Sequence, residues 1–243
     1  VMPGNMVRHA LDWGAVGHHK VKALEDKLNL LAPGIEVKAW LFDLGGQNSV
    51  GLFDRMIAAL TKCDLIVDAT GSANAFNYAS VVAVDHSKPM AWARVFGGGY
   101  GGLIARSRPG LEPAPTFARA AIDAWCTNPE FPKAPKEITD YGATGEGGEP
   151  MIADDADVSA IAAHFTRLII DTLIAPEKSV FASSAYMIGL REEWIFKAAF
   201  DTRPIDLGAP HMPPTEIALP EHEAATAAAM LATLKSGLAE EGE

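Results

Sequence analysis

Cys126 is the residue in this sequence best placed to act as a nucleophile. It follows a helical stretch, borders a long polar segment and has Lys133 nearby, and a cation beside a partly exposed thiol favours the thiolate. Trp125-Cys126 also suits the last buried turn of a helix, because free cysteine is among the most buried residue types. Cys63, just before an apolar run, reads as structural. A second group is basic: Arg8, His9, His18, His19 and Lys20 form a local cluster that could hold a small polyanion. Arg8 offers a planar fork and Lys20 a point charge; as two solvated cations on a helix face they would do no chemistry. Asp68 stands near the carboxyl end of the run 64–69, and Thr70-Gly71-Ser72 follows it. Gly97 to Gly102 looks like a phosphate cradle but leads into a strand, whereas a cradle needs a helix amino terminus behind it; a hairpin turn is expected. His86, His164 and His211 lack ligand spacing, and His164 reads as a core residue on the apolar face of its helix.

Composition narrows the partners. The formal charge of -11 and pI near 5.1 argue against nucleic acid or an acidic membrane surface, which would repel the chain. Every apolar stretch is interrupted well before the ~20 residues of a membrane span. With two cysteines in 243 residues there is no disulfide framework, so a reducing compartment, the cytoplasm, is expected. Val1-Met2-Pro3-Gly4-Asn5 carries no secretory pattern and reads as the start of an excerpt.

The elements that must position these groups follow from periodicity. Residues 16–31 are amphipathic at helical spacing and stop at Pro33-Gly34; residues 35–42 alternate at period two and predict a strand; residues 50–61 predict a helix. The run 64–69 predicts a buried strand, 73–84 a helix, 89–95 a strand and 103–106 its return after the glycine turn. A helix is expected over 116–125, an exposed loop over 135–155, and a helix over 158–173 with Asp157 as N-cap. Residues 184–190 and 194–200 predict a closing hairpin, 204–220 a Pro-rich stretch and 221–238 an Ala-rich helix. Strands alternating with helices make the class α/β, a Rossmann-like, mostly parallel sheet with a late antiparallel extension and helices on both faces.

Three spaced motifs carry a resemblance: Asn5-Met6-Val7-Arg8-His9, Val16-Gly17-His18-His19-Lys20, and Asp64-Leu65-Ile66-Val67-Asp68-Ala69-Thr70. Together they are similar to the ThiF, MoeB and ubiquitin-activating-enzyme superfamily over roughly residues 1–200, and Pro109-Gly110-x-x-Pro113 before a helix adds to it. More narrowly, Val95 to Gly102, Ala153 to Val158 and Ile188 to Arg191 look like bacterial ThiF domains fused to conjugating-enzyme-like or deubiquitinase-like domains.

The resemblance implies ATP-dependent adenylation of the C-terminus of a ubiquitin-like or sulfur-carrier protein, with Mg2+, in a homodimer. It places Arg8 and Lys20 on the phosphates and lets Asn5 orient them or cap the helix it precedes. Ser72 would face the adenine or cap the next helix, and Cys126 would form a thioester. The family's usual magnesium-binding Asp falls on Gly71, so Asp68 is the carboxylate that could replace it. The resemblance divides the chain into a partial domain over 1–203, lacking the first βαβ unit with its phosphate loop, and a tail over 204–243. Such a chain alone is expected to bind ATP poorly and to expose a sheet edge. The rival reading is a non-catalytic dimerisation or modifier-binding module; a nicotinamide-dependent oxidoreductase lacks a dinucleotide fingerprint here.

Overall fold

The computed structural model describes residues 1, 10–44, 50–139, 141–145 and 147–210. Its main sheet has five strands: β1 (Ile66–Asp68), β2 (Met90–Val95), β3 (Gly101–Ser107), β7 (Ala185–Gly189) and β8 (Thr202–Ile205), adjacent in that order. β1 and β2 are parallel, with Asp68 level with Trp92, and the other three pairings are antiparallel. The α/β class holds, and among the described residues the antiparallel extension makes up most of the sheet.

Alternation along the strands builds two cores. Met90, Trp92, Leu103 and Ala105 meet Phe76, Ala79 and Val82 of α3 (Ala73–Asp85) and Ala118 and Ile122 of α4 (Pro115–Cys126) on one face. Ala91, Ile104 and Ile188 meet Ile161, Phe165 and Leu168 of α5 (Asp155–Ile174) on the other. Each fully buried side chain of this size contributes about 1.5–3 kcal/mol. Before them come a 3-10 turn at Trp13–Ala15, α1 (Lys20–Leu31), in which no residue is buried, and α2 (Val50–Leu60).

Several expectations need correction. Residues 35–42 form no strand: alternation supplies a face, but a strand also needs a neighbour to complete its ladder, and none of the described strands pairs with it. The expected loop over 135–155 is a three-stranded antiparallel meander of β4 (Lys136–Thr139), β5 (Gly142–Thr144) and β6 (Pro150–Ile152), whose strands are too short to show periodicity. The second strand of the closing hairpin lies at β8, not at 194–200, where Trp194 and Phe200 take positive φ of 54° and 64°. Pro204 fits β8 because that strand is a sheet edge. Asp154, not Asp157, caps α5: each aspartate's carboxylate accepts the other's backbone N–H, with Asp157 at the third helical position. His164 is exposed, since α5 turns Ile161, Phe165, Leu168 and Thr172 inward. The helix expected over 221–238 lies outside the described residues.

Two buried positions of β3 are polar, Arg106 and Ser107. Arg106 is fully buried, and its guanidinium donates to Glu112 Oε1 (3.1 Å), Asp171 Oδ2 (2.8 Å), Thr172 Oγ1 (3.4 Å) and Ser179 Oγ (2.8 Å). Glu112 also accepts the backbone N–H and Nε of Arg108 and the hydroxyl of Ser184. The cluster joins β3, the 108–113 turn, the end of α5 and the approach to β7. Burial alone would raise the Asp171 carboxyl, but hydrogen bonds from Ser179, the Val180 N–H and Arg106 outweigh it and hold it below its ordinary value. Because the folded value is depressed, this stabilisation is present above the ordinary carboxylate pKa of about 3.9 and is lost as pH falls through the folded value. Arg106→Leu should cost about 3–5 kcal/mol by leaving the buried Asp171 carboxylate without its cation and Glu112 with Arg108 alone. Denaturant titration at pH 7 and pH 3.5 measures it, and a variant as stable as the wild type at pH 7 would refute the account.

Candidate functional site

The candidate site begins where β1 ends. Asp68, nearly buried, accepts the backbone N–H of Thr70 (3.0 Å) and its hydroxyl (2.6 Å) on the same carboxylate oxygen. Thr70 Oγ1 accepts the Ser72 N–H (3.1 Å), and Ser72 Oγ accepts the Ala75 N–H (3.3 Å), capping α3. Capping is therefore Ser72's observed role. Gly71 sits between them at φ +68°, with open space where a Cβ would stand. This relay turns the chain from strand to helix and leaves the α3 amino terminus at the carboxyl end of the parallel β1–β2 pair. That is the edge at which α/β sheets place ligands.

β2 continues three residues past the level of Asp68, about 10 Å at strand rise, into the glycine turn. The meander is fastened to this turn. Glu137 Oε1 accepts the Gly97 N–H (3.0 Å), the other Glu137 oxygen pairs with Arg94, and Tyr141 O accepts the Gly98 N–H (3.1 Å). Sequence reasoning missed Glu137, which stands in no motif, and Tyr100, which stands in a glycine run read only as a turn. Tyr100 is buried in the turn; burial first, then the charge of Glu137, raises its phenol far above its ordinary value.

Cys126 ends α4 and packs, half-buried, against the core that contains Phe96 and Tyr100. Burial, then the negative charge of Asp123, pushes its thiol up to about 11, with Arg94 pulling the other way. The cation that acts on it is thus Arg94 rather than Lys133, and at neutral pH the group is a thiol. Its packing on the cluster that holds Phe96 and Tyr100 puts it at the glycine-turn end of the sheet.

The structure brings Asp68, Gly71 and Ser72 together. Lys20 opens α1 on an exposed turn, and among the described residues no hydrogen bond or ion pair joins it to that loop. Asn5 and Arg8 lie outside the described residues. No cluster of three or more carboxylate, histidine or thiol groups forms a metal cage among the described residues. Magnesium needs only one or two carboxylates beside substrate phosphates, and the Asp68 oxygen not engaged by Thr70 fits that demand. No helix among the described residues is long and apolar enough to cross a membrane.

The sequence pattern of the ThiF family matches residues 1–146, more than half of the chain. The chain belongs to the ThiF family. Among solved structures it is similar to selenomethionine PaaA, at 14% identity and TM-score 0.58, covering 86% of this chain and 62% of PaaA. It is also similar to E. coli MccB with ATP, at 15% identity and TM-score 0.57, covering 86% of this chain and 54% of MccB. A third likeness is to E. coli MccB with AMPCPP and MccA, at 13% identity and TM-score 0.53, covering 84% and 54%. At these identities the likeness is one of fold, and this ThiF-family chain spans less than two thirds of the length of those proteins. No curated protein sequence matches it.

Two measurements test this geometry. Gly71→Val should cost about 1–2 kcal/mol, because a branched side chain is strained at φ +68°, whereas Gly71→Asn should cost less, asparagine tolerating that region. Equal thermal shifts for the two would argue against a left-handed residue there. In a Cys63→Ser chain, alkylation of Cys126 should accelerate about tenfold per pH unit from pH 7 to about 10. A plateau near pH 8.5 would show a thiol of ordinary acidity.

Proposed function

We propose that the full-length protein uses ATP to adenylate the C-terminal carboxylate of a ubiquitin-like or sulfur-carrier protein and then passes the acyl group to Cys126. The observation that carries this reading is the Asp68–Thr70–Ser72 loop at the carboxyl end of a parallel strand pair, in a chain of the ThiF family. Further support comes from MccB, a protein of similar fold solved with ATP and with AMPCPP and MccA.

In the first step a carboxylate oxygen of the modifier attacks the α-phosphorus and pyrophosphate leaves. Charge builds on the nonbridging and leaving oxygens, so fixed cations are what the transition state requires. Arg8 and Lys20 supply them, Asn5 orients the phosphates, and Asp68 would hold Mg2+, which would offset charge on the phosphates. Gly71 lets the chain pass close to the nucleotide. Among the described residues β1 is an edge strand of the sheet, and Val67 on it is 46% exposed. In the second step Cys126 sulfur attacks the acyl carbon, AMP leaves, and the thiol proton passes to a base in solution. Two copies of the protein act together as a homodimer, with a conjugating-enzyme-like domain in the same parent chain as a further acceptor.

A specific pair of observations favours the alternative, a non-catalytic module that docks a modifier. Gly71 replaces a carboxylate, and the Cys126 thiol is held protonated. ATP–pyrophosphate exchange on the full-length protein separates the two. Exchange that depends on an added modifier, and that falls about 10²–10³-fold in Arg8→Ala, is expected for adenylation. No exchange, together with a tight nucleotide-independent complex unaffected by Cys126→Ala, would establish the module.

A further inference from the structure

The rings beside Cys126 form a continuous chain. Trp125, its sequence neighbour, meets Phe131 edge-on with ring centroids 4.8 Å apart. Phe131 meets Trp194 at 6.4 Å, Trp194 meets Phe96 at 6.2 Å, and Phe96 meets Tyr100 at 5.3 Å. Phe96 and Tyr100 belong to the core cluster against which Cys126 packs, so the path runs from the neighbour of Cys126 back to the residues that cover it.

The segment that carries Phe131 is short and tied at both ends. Thr127 closes α4, the Asn128 side chain accepts the Glu130 N–H, and the Phe131 N–H returns to Asn128 O. At the far end the indole Nε1 of Trp194 donates to Pro132 O (2.8 Å), a contact between positions 62 residues apart. Trp194 makes that bond from a backbone at φ +54°, a region that bulky residues avoid, so the surrounding packing must hold it there. An exposed turn held by its own hydrogen bonds, by edge-on ring contacts and by a bond from one strained residue is of the kind that opens locally without global unfolding.

We propose that residues 127–132 form an aromatic strap, latched by Trp194, which closes over Cys126 and must open before a bulky acyl donor can reach the sulfur. The strap rests on the reading of Cys126 as acceptor, and it gives that reading a device that keeps the thiol from unproductive partners. A small reagent passes the closed strap and a large one does not. Access is therefore separable from acidity, because a thiol merely held protonated slows both reagents in equal proportion.

The test uses two chains with one thiol each, Cys63→Ser for Cys126 and Cys126→Ser for Cys63 as the exposed reference. Each is alkylated with iodoacetamide and with a maleimide carrying a large polyethylene glycol. The rate ratio of small to large reagent should be at least about tenfold greater at Cys126 than at Cys63. Phe131→Ala should erase that excess. Trp194→Phe keeps a ring in place and removes only the latch donor; it should reduce the excess severalfold and decides the matter if Phe131→Ala does not fold, as judged by circular dichroism and a cooperative Tm. Equal ratios at the two cysteines, or an unchanged excess in a folded Trp194→Phe chain, would overturn the strap. Since no nucleotide enters the readout, failure of pyrophosphate exchange would count against adenylation and leave the strap standing.

Discussion

The absence of side chains in the turn between β2 and β3 is the constraint on which the rest of this structure depends. A Cβ on Gly97 would stand 2.8 Å from Gly142 O, and one on Gly98 2.8 Å from Met151 Cβ. On Gly99 it would stand 2.1 Å from Asp157 Oδ2 and 2.8 Å from Ala153 Cα; on Gly101, 2.6 Å from Ile188 O. The meander, the start of α5 and strand β7 all approach this one stretch of backbone at distances that only glycine permits. Each contact is then fixed by polar groups: Glu137 and Tyr141 O on the turn, Tyr100 O accepting the Leu190 N–H, and Asp157 pairing with Arg191.

Two consequences reach the candidate site. With the turn clamped, Arg94 and Tyr100 are held rigidly at the sheet end where Cys126 sits, and the meander, following directly on the Cys126 segment, has a fixed seat. At the opposite end of β3, Arg106 does for polar groups what the glycines do for backbone. It gathers two carboxylates and two hydroxyls from distant segments, so that among the described residues no buried side-chain nitrogen or oxygen lacks a partner. The strand is thus pinned at both ends, by close approach at one and by charge at the other.

Much of the fold was legible because its helices and central strands carry strong periodicity: α2, α3, α4 and β1 to β3 fall within a few residues of expectation. What escaped reading is what periodicity does not encode. The meander strands have three or four residues each, β8 is displaced by a turn that puts Trp194 and Phe200 at positive φ, and residues 35–42 alternate without a pairing partner among the described strands. Asp68, Gly71 and Ser72 were singled out by motif and are near one another by sequence alone, and the hydrogen-bond relay from Asp68 to Ser72 depends on Thr70, to which the motif assigned no role. Of the two readings of Cys126, the last turn of a helix against the core is the one observed, and its neighbours in space are aromatic rings, Asp123 and Arg94 rather than Lys133. Arg106 left one signal, a lone charge in an apolar strand.

Gly71 bears most directly on what the protein does. Its left-handed backbone is a conformation that aspartate and asparagine also adopt, so a carboxylate at this position is compatible with the loop as it stands. Glycine here is therefore a difference in chemistry and not in folding. The loop does not need a cation to hold its shape either, since Asp68, Thr70 and Ser72 satisfy one another and cap α3. A catalytic protein and a docking module would share this same backbone and these same hydrogen bonds. What separates them is the ligand that the loop meets rather than the fold.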